Sequence, residues 1–496
     1  MPLTNVQIQP GFNKQVTATG AEGQWTDGDF VRFRYGLPEK IGGWEQLLNK
    51  TLAGAVREQL VWADLDGRKY ASLGTNKVLV IYYGGAFYDI TPLDTAITGA
   101  DFDATLNQPT VTVNKVTHGL EIGDLFTFTS VTVPTGSGYT TGAFEDQTFE
   151  VVTVPTIDTF TITMATNSAA NTSGTGSAVI NPYITVGPLN QSYGYGFGTS
   201  GWGGSSGILG TLNGALLNDT AGTGGIGTSV TLTSTTGFPT SGVIKVDSEL
   251  ISYTGIAGND LTTITRGANG SSKASHSSGA AVEFFIAWGA ASASSSVLLD
   301  PASWSLDHFG EKLIATIKNG KTYEWIPIAT VPAALTTRAT VVSGAPTKSV
   351  MSMVSERDRH LLILGTETTI GSTGSQDKMF IRFSDQEDIE DYAPTSVNTA
   401  GTFRLDSGVK IVGAAKGKDY ILVLTDTSAY VIQFVGPPFT FSVRQVGSNC
   451  GLIGQHAIRY VNGAVWWMGQ AGGFFVYDGT VKSVPCLVED FVFTTK

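Results

Sequence analysis

Residues 385–391 carry five carboxylates: Asp385, Glu387, Asp388, Glu390 and Asp391. Two facing carboxylates can hydrolyse a glycoside, and several loop oxygens together can bind calcium. This run lacks the central glycine on which a calcium loop turns, so it reads as a solvated loop between sheet units. The five histidines are His118, His276, His308, His360 and His456, and none falls two to five residues from another. Zinc-type ligand spacing is therefore missing. His308 stands beside Asp307 and Glu311, and His360 follows Asp358 and Arg359. Either could act as acid or base; both are expected to be ordinary turn or edge residues. Residues 222–227 spell G-x-G-x-x-G, but a Ser/Thr-rich strand follows where a dinucleotide site needs a helix. Neither a Walker lysine motif nor a nucleophile elbow is present. Cys450 and Cys486 sit in apolar, strand-like context and read as buried thiols, too few for a disulfide framework and without partners for zinc. The expectation is no catalytic residue, no cofactor-binding residue, no metal ligand and no cofactor.

Charge narrows the partners. Lys and Arg number 30 against 42 Asp and Glu, a net charge of −12, and no basic cluster stands out. Tight nucleic-acid binding wants a basic patch. An acidic wall would instead repel DNA, which suits a passage through which DNA slides; ordinary solubility charge accounts for the same number. No run approaches the roughly 18 apolar residues of a membrane helix, and residues 1–15 show neither a basic nor an apolar signal region. No membrane span and synthesis in a reducing cytoplasm are expected.

The elements that must position these residues are strands. The 61 glycines, abundant Ser and Thr, and alternating Val/Ile/Thr/Tyr runs point to an all-β chain, and 496 residues allow several domains. One pattern recurs: a short apolar run, a Gly, Asn or Asp turn, and a second apolar run with an aromatic. It reads LIATIKNGKTYEWI at 313–326, ILVLTDTSAYVIQ at 421–433 and VWWMGQAGGFFVYD at 465–478. A looser copy starts at Leu361 and pairs with residues 379–384, and an early copy, VLVIYYGGAFYDI, occupies 78–90. The later copies start at 313, 361, 421 and 465, at intervals of 48, 60 and 44. Such spacing fits propeller blades, each too poor in apolar surface to fold alone. A β-propeller with two inserted small β domains, sandwich- or barrel-like, is therefore expected, forming a rigid disc with an axial channel.

The domain reading follows the texture. Residues 1–50 form an N-terminal arm with an alternating strand (Phe30, Arg32, Phe33, Arg34, Tyr35) and a turn at Gly36, Leu37 and Pro38. Residues 51–93 form a first blade with a Gly84-Gly85 hairpin turn. Residues 94–185, rich in Thr/Val alternation, form a first inserted β domain. Residues 186–212 form a Gly/aromatic-rich return segment, residues 213–285 a second inserted β domain, and residues 286–496 the remaining blades, with the repeat texture resuming at Trp288. A strand-like run from Phe491 ends the sequence and leaves the blade count open.

Several stretches in order resemble one family. They are GDFVRFRYGLPEKIGGW (28–44), WSLDHFGEKLIATIKNGKTYEW (304–325), SERDRHLLILGT (355–366) and IRFSDQEDIEDYAP (381–394), with NTAGTFRLDSG (398–408), YVIQFVGPPFTFSVRQVGSNCGLIG (430–454) and VWWMGQAGGFFVYDG (465–479). Together they resemble the tail hub or nozzle proteins of short-tailed, podovirus-like phages, often labelled tail tubular protein B or packaged-DNA stabilisation protein. The resemblance covers roughly 1–95 and 290–496. It implies a structural virion protein and no enzyme: a homo-hexameric ring on the tail below the portal and adaptor, assembled in the host cytoplasm. It also implies a DNA conduit that helps retain packaged DNA without sequence-specific binding, and a surface for tail fibres or spikes. The rigid turn at 436–439 and the aromatics Trp466, Trp467, Phe474, Phe475 and Tyr477 would then shape and fill the blades. The inserted domains are not required by that fold. The alternative reading gives them receptor binding, or carbohydrate binding and cleavage.

Overall fold

The computed structural model describes residues 8–46, 50–145, 147–187, 205–219, 221–224, 227–285, 301, 303–327, 335 and 337–494. Strands make up 48% of the chain and helices 4%, so the protein is all-β as expected. Two compact units emerge, Met1–Gly187 with Ala302–Lys496, and Pro188–Pro301.

In the larger unit the repeat becomes five antiparallel four-stranded meanders. Sheet I holds Val56–Ala63, Lys69–Thr75, Leu79–Tyr83 and Ala86–Asp89. Sheet II holds Trp304–Phe309, Lys312–Ile317, Thr322–Trp325 and Thr340–Val341. Sheet III holds Met351–Ser355, His360–Leu364, Phe380–Phe383 and Gly401–Arg404. Sheet IV holds Ile411–Lys416, Ile421–Thr425, Ser428–Gly436 and Thr440–Ser448, and sheet V holds Ile458–Val461, Ala464–Met468, Phe474–Tyr477 and Val481–Val484. Turn chemistry sets the hairpins: Asn462 and Gly463 take φ of 51° and 86°, the paired left-handed conformations of a primed two-residue turn. The copies from 313 onward coincide with the second and third strands of sheets II to V. The early copy at 78–90 is one strand out of phase, since it forms the third and fourth strands of sheet I.

Strand alternation explains why the repeat reads as a continuous apolar run. Successive side chains point to opposite faces, and here both faces meet a neighbouring sheet. Leu361 and Ile363 join Phe309 and Ile314 of sheet II in one core, while Leu362 and Leu364 join Ile421 and Val423 of sheet IV in another. Leu422 and Leu424 turn the other way, to Val465 and Trp467 of sheet V. Trp304, Leu313 and Trp325 of sheet II share a core with Trp62, Tyr70 and Ile81 of sheet I. Trp304 also donates from Nε1 to the Thr75 carbonyl at 2.7 Å.

Both ends of this series are covered. The other face of sheet I, with Val78 and Val80, packs on Tyr183 and Leu125 of the first insert. On sheet V, Phe474 meets Phe493 of the helix Glu489–Thr494, ring centroids 5.3 Å apart. The run from Phe491, expected to be strand-like, is therefore helical. The aromatic expectation holds for Trp467 and Tyr477, which are buried, and fails for Trp466: alternation turns it outward, 44% exposed.

The first insert is one sheet of seven strands, Ile97–Ala104, Thr110–Asn114, Leu125–Thr132, Thr148–Glu150, Thr153–Thr156, Thr159–Thr163 and Thr172–Pro182. Its edge strands, Thr148–Glu150 and Thr153–Thr156, are joined by Val151 and Val152. Those two residues donate to the Asp124 and Thr161 carbonyls, so the sheet curls until its edges approach. Phe102, Phe126, Phe128, Phe144, Phe149 and Phe160 fill the inside.

The smaller unit has a five-stranded sheet, in order Ser205–Thr211, Ala281–Phe285, Gly242–Val246, Glu249–Tyr253 and Thr265–Arg266, and a three-stranded one, Ser229–Thr231, Asp260–Thr262 and Gly255–Ala257. Its sheet begins at Ser205, inside the stretch expected to be a return segment. The aromatic stretch 193–204 and Trp288 lie outside the described residues.

Trp304→Ala removes a fully buried side chain shared by two sheets. It is expected to lower the unfolding free energy of the larger unit by about 3–5 kcal/mol. Trp466→Ala is expected to cost less than about 1 kcal/mol. Urea titrations followed by circular dichroism compare the two.

Candidate functional site

No strand ladder links one meander to the next, so side chains join the leading strands of neighbouring sheets, partly by bonding the backbone groups along their outer edges. Asp307, on the leading strand of sheet II, is buried. Its Oδ2 accepts from Val354 N of sheet III at 2.7 Å, and its Oδ1 accepts from Lys416 Nζ of sheet IV at 2.6 Å. Lys416 also reaches Glu356 Oε1 at 2.7 Å. His308 donates from Nδ1 to the Gly310 carbonyl at 3.2 Å, which leaves Nε2 3.7 Å from Glu356. Ser305 Oγ donates to the Ser352 carbonyl at 2.8 Å, and Thr316 Oγ1 to Ser352 Oγ at 2.7 Å. The stretch before sheet V closes on the same strands. Gln455 donates to the Trp304 carbonyl at 3.0 Å, and His456 lies 3.2 Å from Ser303 Oγ and 3.0 Å from Glu58 of sheet I. The leading strands thus meet through polar side chains, and the expected axial channel of a single chain is bridged at this level by Lys416 and Asp307.

Asp307, His308 and Glu356 place one ligand atom each within 4.8 Å of one another, a grouping the sequence reading missed because Glu356 is 48 residues away in the chain. The Lys416 ammonium contacts both carboxylates and supplies the positive charge that a metal would bring. Burial works to raise the Glu356 carboxyl, and the Lys416 hydrogen bond and charge outweigh it, so its pKa lies below the ordinary value. Both Asp307 oxygens are engaged by protein donors. The donor set fits an internal ion pair better than a cation cage.

Beside this hub a cleft of about 590 Å³ opens along sheets III to V, walled by Phe434, Phe441, Tyr420 and Tyr460. Arg357 at its rim pairs with Asp419 at 3.0 Å. Ser355 Oγ donates to Asp358 at 3.0 Å across a hairpin turn, a contact that closes the turn.

The other singled-out residues resolve differently. The acidic run lies within sheet III, between its third and fourth strands, instead of between units. It is pinned: Asp385 Oδ1 accepts from Thr399 N, Thr399 Oγ1 and Gln386 N, while Ile389 and Tyr392 are buried beneath it. His360 is fully buried among Phe383, Phe434 and Phe441, not at a turn or edge, and burial lowers its pKa. His118 is buried against Phe160. Cys450 is buried as expected; Cys486 is half-buried. Around 222–227 the described neighbour is the strand Ser229–Thr231, with no following helix.

The smaller unit holds a buried ionic cluster that the sequence did not announce. Arg266 grips Glu249 with two hydrogen bonds, Nε to Oε1 at 2.6 Å and Nη2 to Oε2 at 2.8 Å. Gly267 N, Ala274 N and His276 Nε2 complete the carboxylate's shell, and His276 Nδ1 lies 2.7 Å from Asp247. Burial alone would raise Glu249; the Arg266 hydrogen bonds and charge, the Ala274 N–H and His276 hold it at about 2. The partners lie 17 to 27 residues apart, beyond any local motif. Every oxygen is satisfied, so the cluster is a structural core of that unit.

No family model matches the chain, and no curated protein matches it. Among solved structures it is similar to the phage phi92 endosialidase, at 13% identity and a TM-score of 0.18, covering 87% of this chain and 55% of that one. It is also similar to BBS1N in complex with ARL6DN, at 11% identity and a TM-score of 0.23, covering 49% of this chain and 64% of that one. The chain spans between about half and two thirds of the length of these proteins. Neither similarity is close enough to set the fold or the function.

Glu249→Gln is expected to destabilise the smaller unit by about 3–5 kcal/mol, because a buried Arg266 loses its counter-charge. Faster hydrogen exchange across 227–285 would register it. Since the folded Glu249 value sits below the ordinary 4.5, its stabilisation is complete above that pH and fades as pH falls toward 2. Pepsin cleavage within 205–285 should therefore accelerate from pH 4.5 down to 2 in the wild type.

Proposed function

We propose that this chain is a structural subunit of a short-tailed phage tail, the nozzle or hub, acting mechanically and without catalysis. Its body is read as an incompletely closed propeller of five blades. In support, the motifs that resemble the family fall in sheets II to V, their connecting loops and the N-terminal hairpin, all within the larger unit. The observation that carries most weight is the polar hub. The buried Asp307 and its Lys416 partner bridge the meeting point of three leading strands, so one copy has no room there for a DNA duplex. A DNA conduit must then be enclosed between copies, as the homo-hexameric ring of the resembling family encloses it.

In this reading the five sheets are the rigid part, and the two inserted modules offer surface to fibres or spikes. The net charge of −12 suits a wall along which DNA slides. Electron microscopy of particles carrying the chain tests the assignment. A ring on the tail axis, each copy contributing one five-sheet body and lining the channel mainly with carboxylates, is the expected image. Density for the chain away from the axis, or a basic channel wall, would remove the nozzle assignment or its sliding-wall element respectively.

A further inference from the structure

The N-terminal hairpin is built unlike the rest of the molecule. Its strands Val31–Arg34 and Leu37–Lys40 pair around Tyr35 and Gly36, so the turn lies one residue earlier than the sequence suggests, and Leu37 and Pro38 belong to a strand. One side is anchored. Phe33 packs edge-on against Phe12 at 5.3 Å and near Trp25 at 6.4 Å. Arg32 pairs with Glu39 at 3.1 Å, which pins the register. The arm beneath it is tied to the C-terminal segment: Lys14 N donates to the Leu487 carbonyl at 2.9 Å and Gln15 Nε2 to the Cys486 carbonyl at 3.1 Å.

The other side is bare. Phe30 is 80% exposed, Tyr35 92%, Leu37 71%, Ile41 51% and Trp44 102%. Phe30 and Tyr35 also hold φ of 55° and 52°, a left-handed conformation unfavourable for bulky side chains. Strain combined with exposed aromatic surface marks a functional element rather than a stabilising one. A two-stranded hairpin of four-residue strands is marginal by itself, so an apolar partner surface would stabilise it.

We propose that this hairpin docks onto a second copy of this chain. Three observations favour that occupant. Phe30, Tyr35 and Trp44, offering roughly 150–250 Å² each, supply roughly 600 Å² to which Leu37 and Ile41 add, approaching one partner's share of a standard stable interface. The strands and their turn carry Arg32, Arg34 and Lys40 against Glu39, a basic element on a chain of net charge −12, so the chain's own acidic surface is complementary to it. The anchoring to both ends of the chain fixes the hairpin in place, which lowers the ordering cost of docking. A projecting element received by a different surface of the next copy is a head-to-tail contact, the kind that closes into rings. The proposal deepens the assembly element of the proposed function but does not need a phage context.

The test uses the purified full chain. Sedimentation and light scattering from 0.1 to 100 µM compare the wild type with a Tyr35→Asn, Leu37→Thr, Trp44→Ser variant, whose asparagine tolerates the turn conformation. The wild type should form a discrete oligomer. The variant should need at least a 100-fold higher concentration to do so, with an unchanged circular dichroism spectrum. Mixed-isotope cross-linking through Lys40 should join light and heavy chains in the wild type alone. A wild type monomeric throughout, as expected if the hairpin instead serves an unrelated partner, would overturn the proposal. So would a variant that assembles like the wild type. Oligomers made through the hairpin, with no ring on the tail axis of particles, would reject the phage assignment while leaving this contact standing.

Discussion

The carboxylate of Asp307 holds together what the backbone cannot. A four-stranded meander pairs its strands with one another, but the outer edge of its leading strand keeps N–H and C=O groups that no strand of the next sheet takes up. Asp307 crosses that gap twice, accepting a backbone N–H from sheet III with one oxygen and the Lys416 ammonium of sheet IV with the other. Three leading strands are thereby fixed at one point. The apolar cores between sheets I and II, II and III, III and IV, and IV and V then pack outward from it. Burial of the carboxylate would be costly alone; the Val354 and His308 N–H groups and the Lys416 ammonium, shared with Glu356, offset it.

The same constraint separates what the sequence revealed from what it concealed. Turn chemistry and apolar runs are local, so the hairpins of sheets II to V were legible, including the unusual pairing of Leu361–Leu364 with residues far downstream. Phase was less secure. Residues 78–90 look like the others because Leu79–Tyr83 is apolar and followed by glycines, yet the first two strands of that sheet, less regular in pattern, precede it. The end of the chain carries Phe491 and Val492, which read as a strand in isolation but form a helix where Glu489 and Asp490 occupy its first turn.

Polar groupings were the least legible. Asp307, Glu356 and Lys416 are separated by about 50 to 110 residues, and Glu249 finds Arg266 and His276 only once two strands have paired. A histidine at 276 in a Ser/Gly-rich loop gives no local sign of burial. The same holds for His360, whose place among three phenylalanines depends on the packing of sheet IV against sheet III. Side chains such as these record tertiary contacts, and one sequence does not disclose them.

The bond from Gln15 to the Cys486 carbonyl spans 471 residues. Loop-closure entropy rises with the length enclosed, and contacts between distant residues wait for the segments between them to become compact. A chain still emerging from the ribosome cannot make this bond until Cys486 has been added. The arm therefore acquires this contact only after the segment that follows the fifth sheet has been made. The order of these events is written into the distance between two residues.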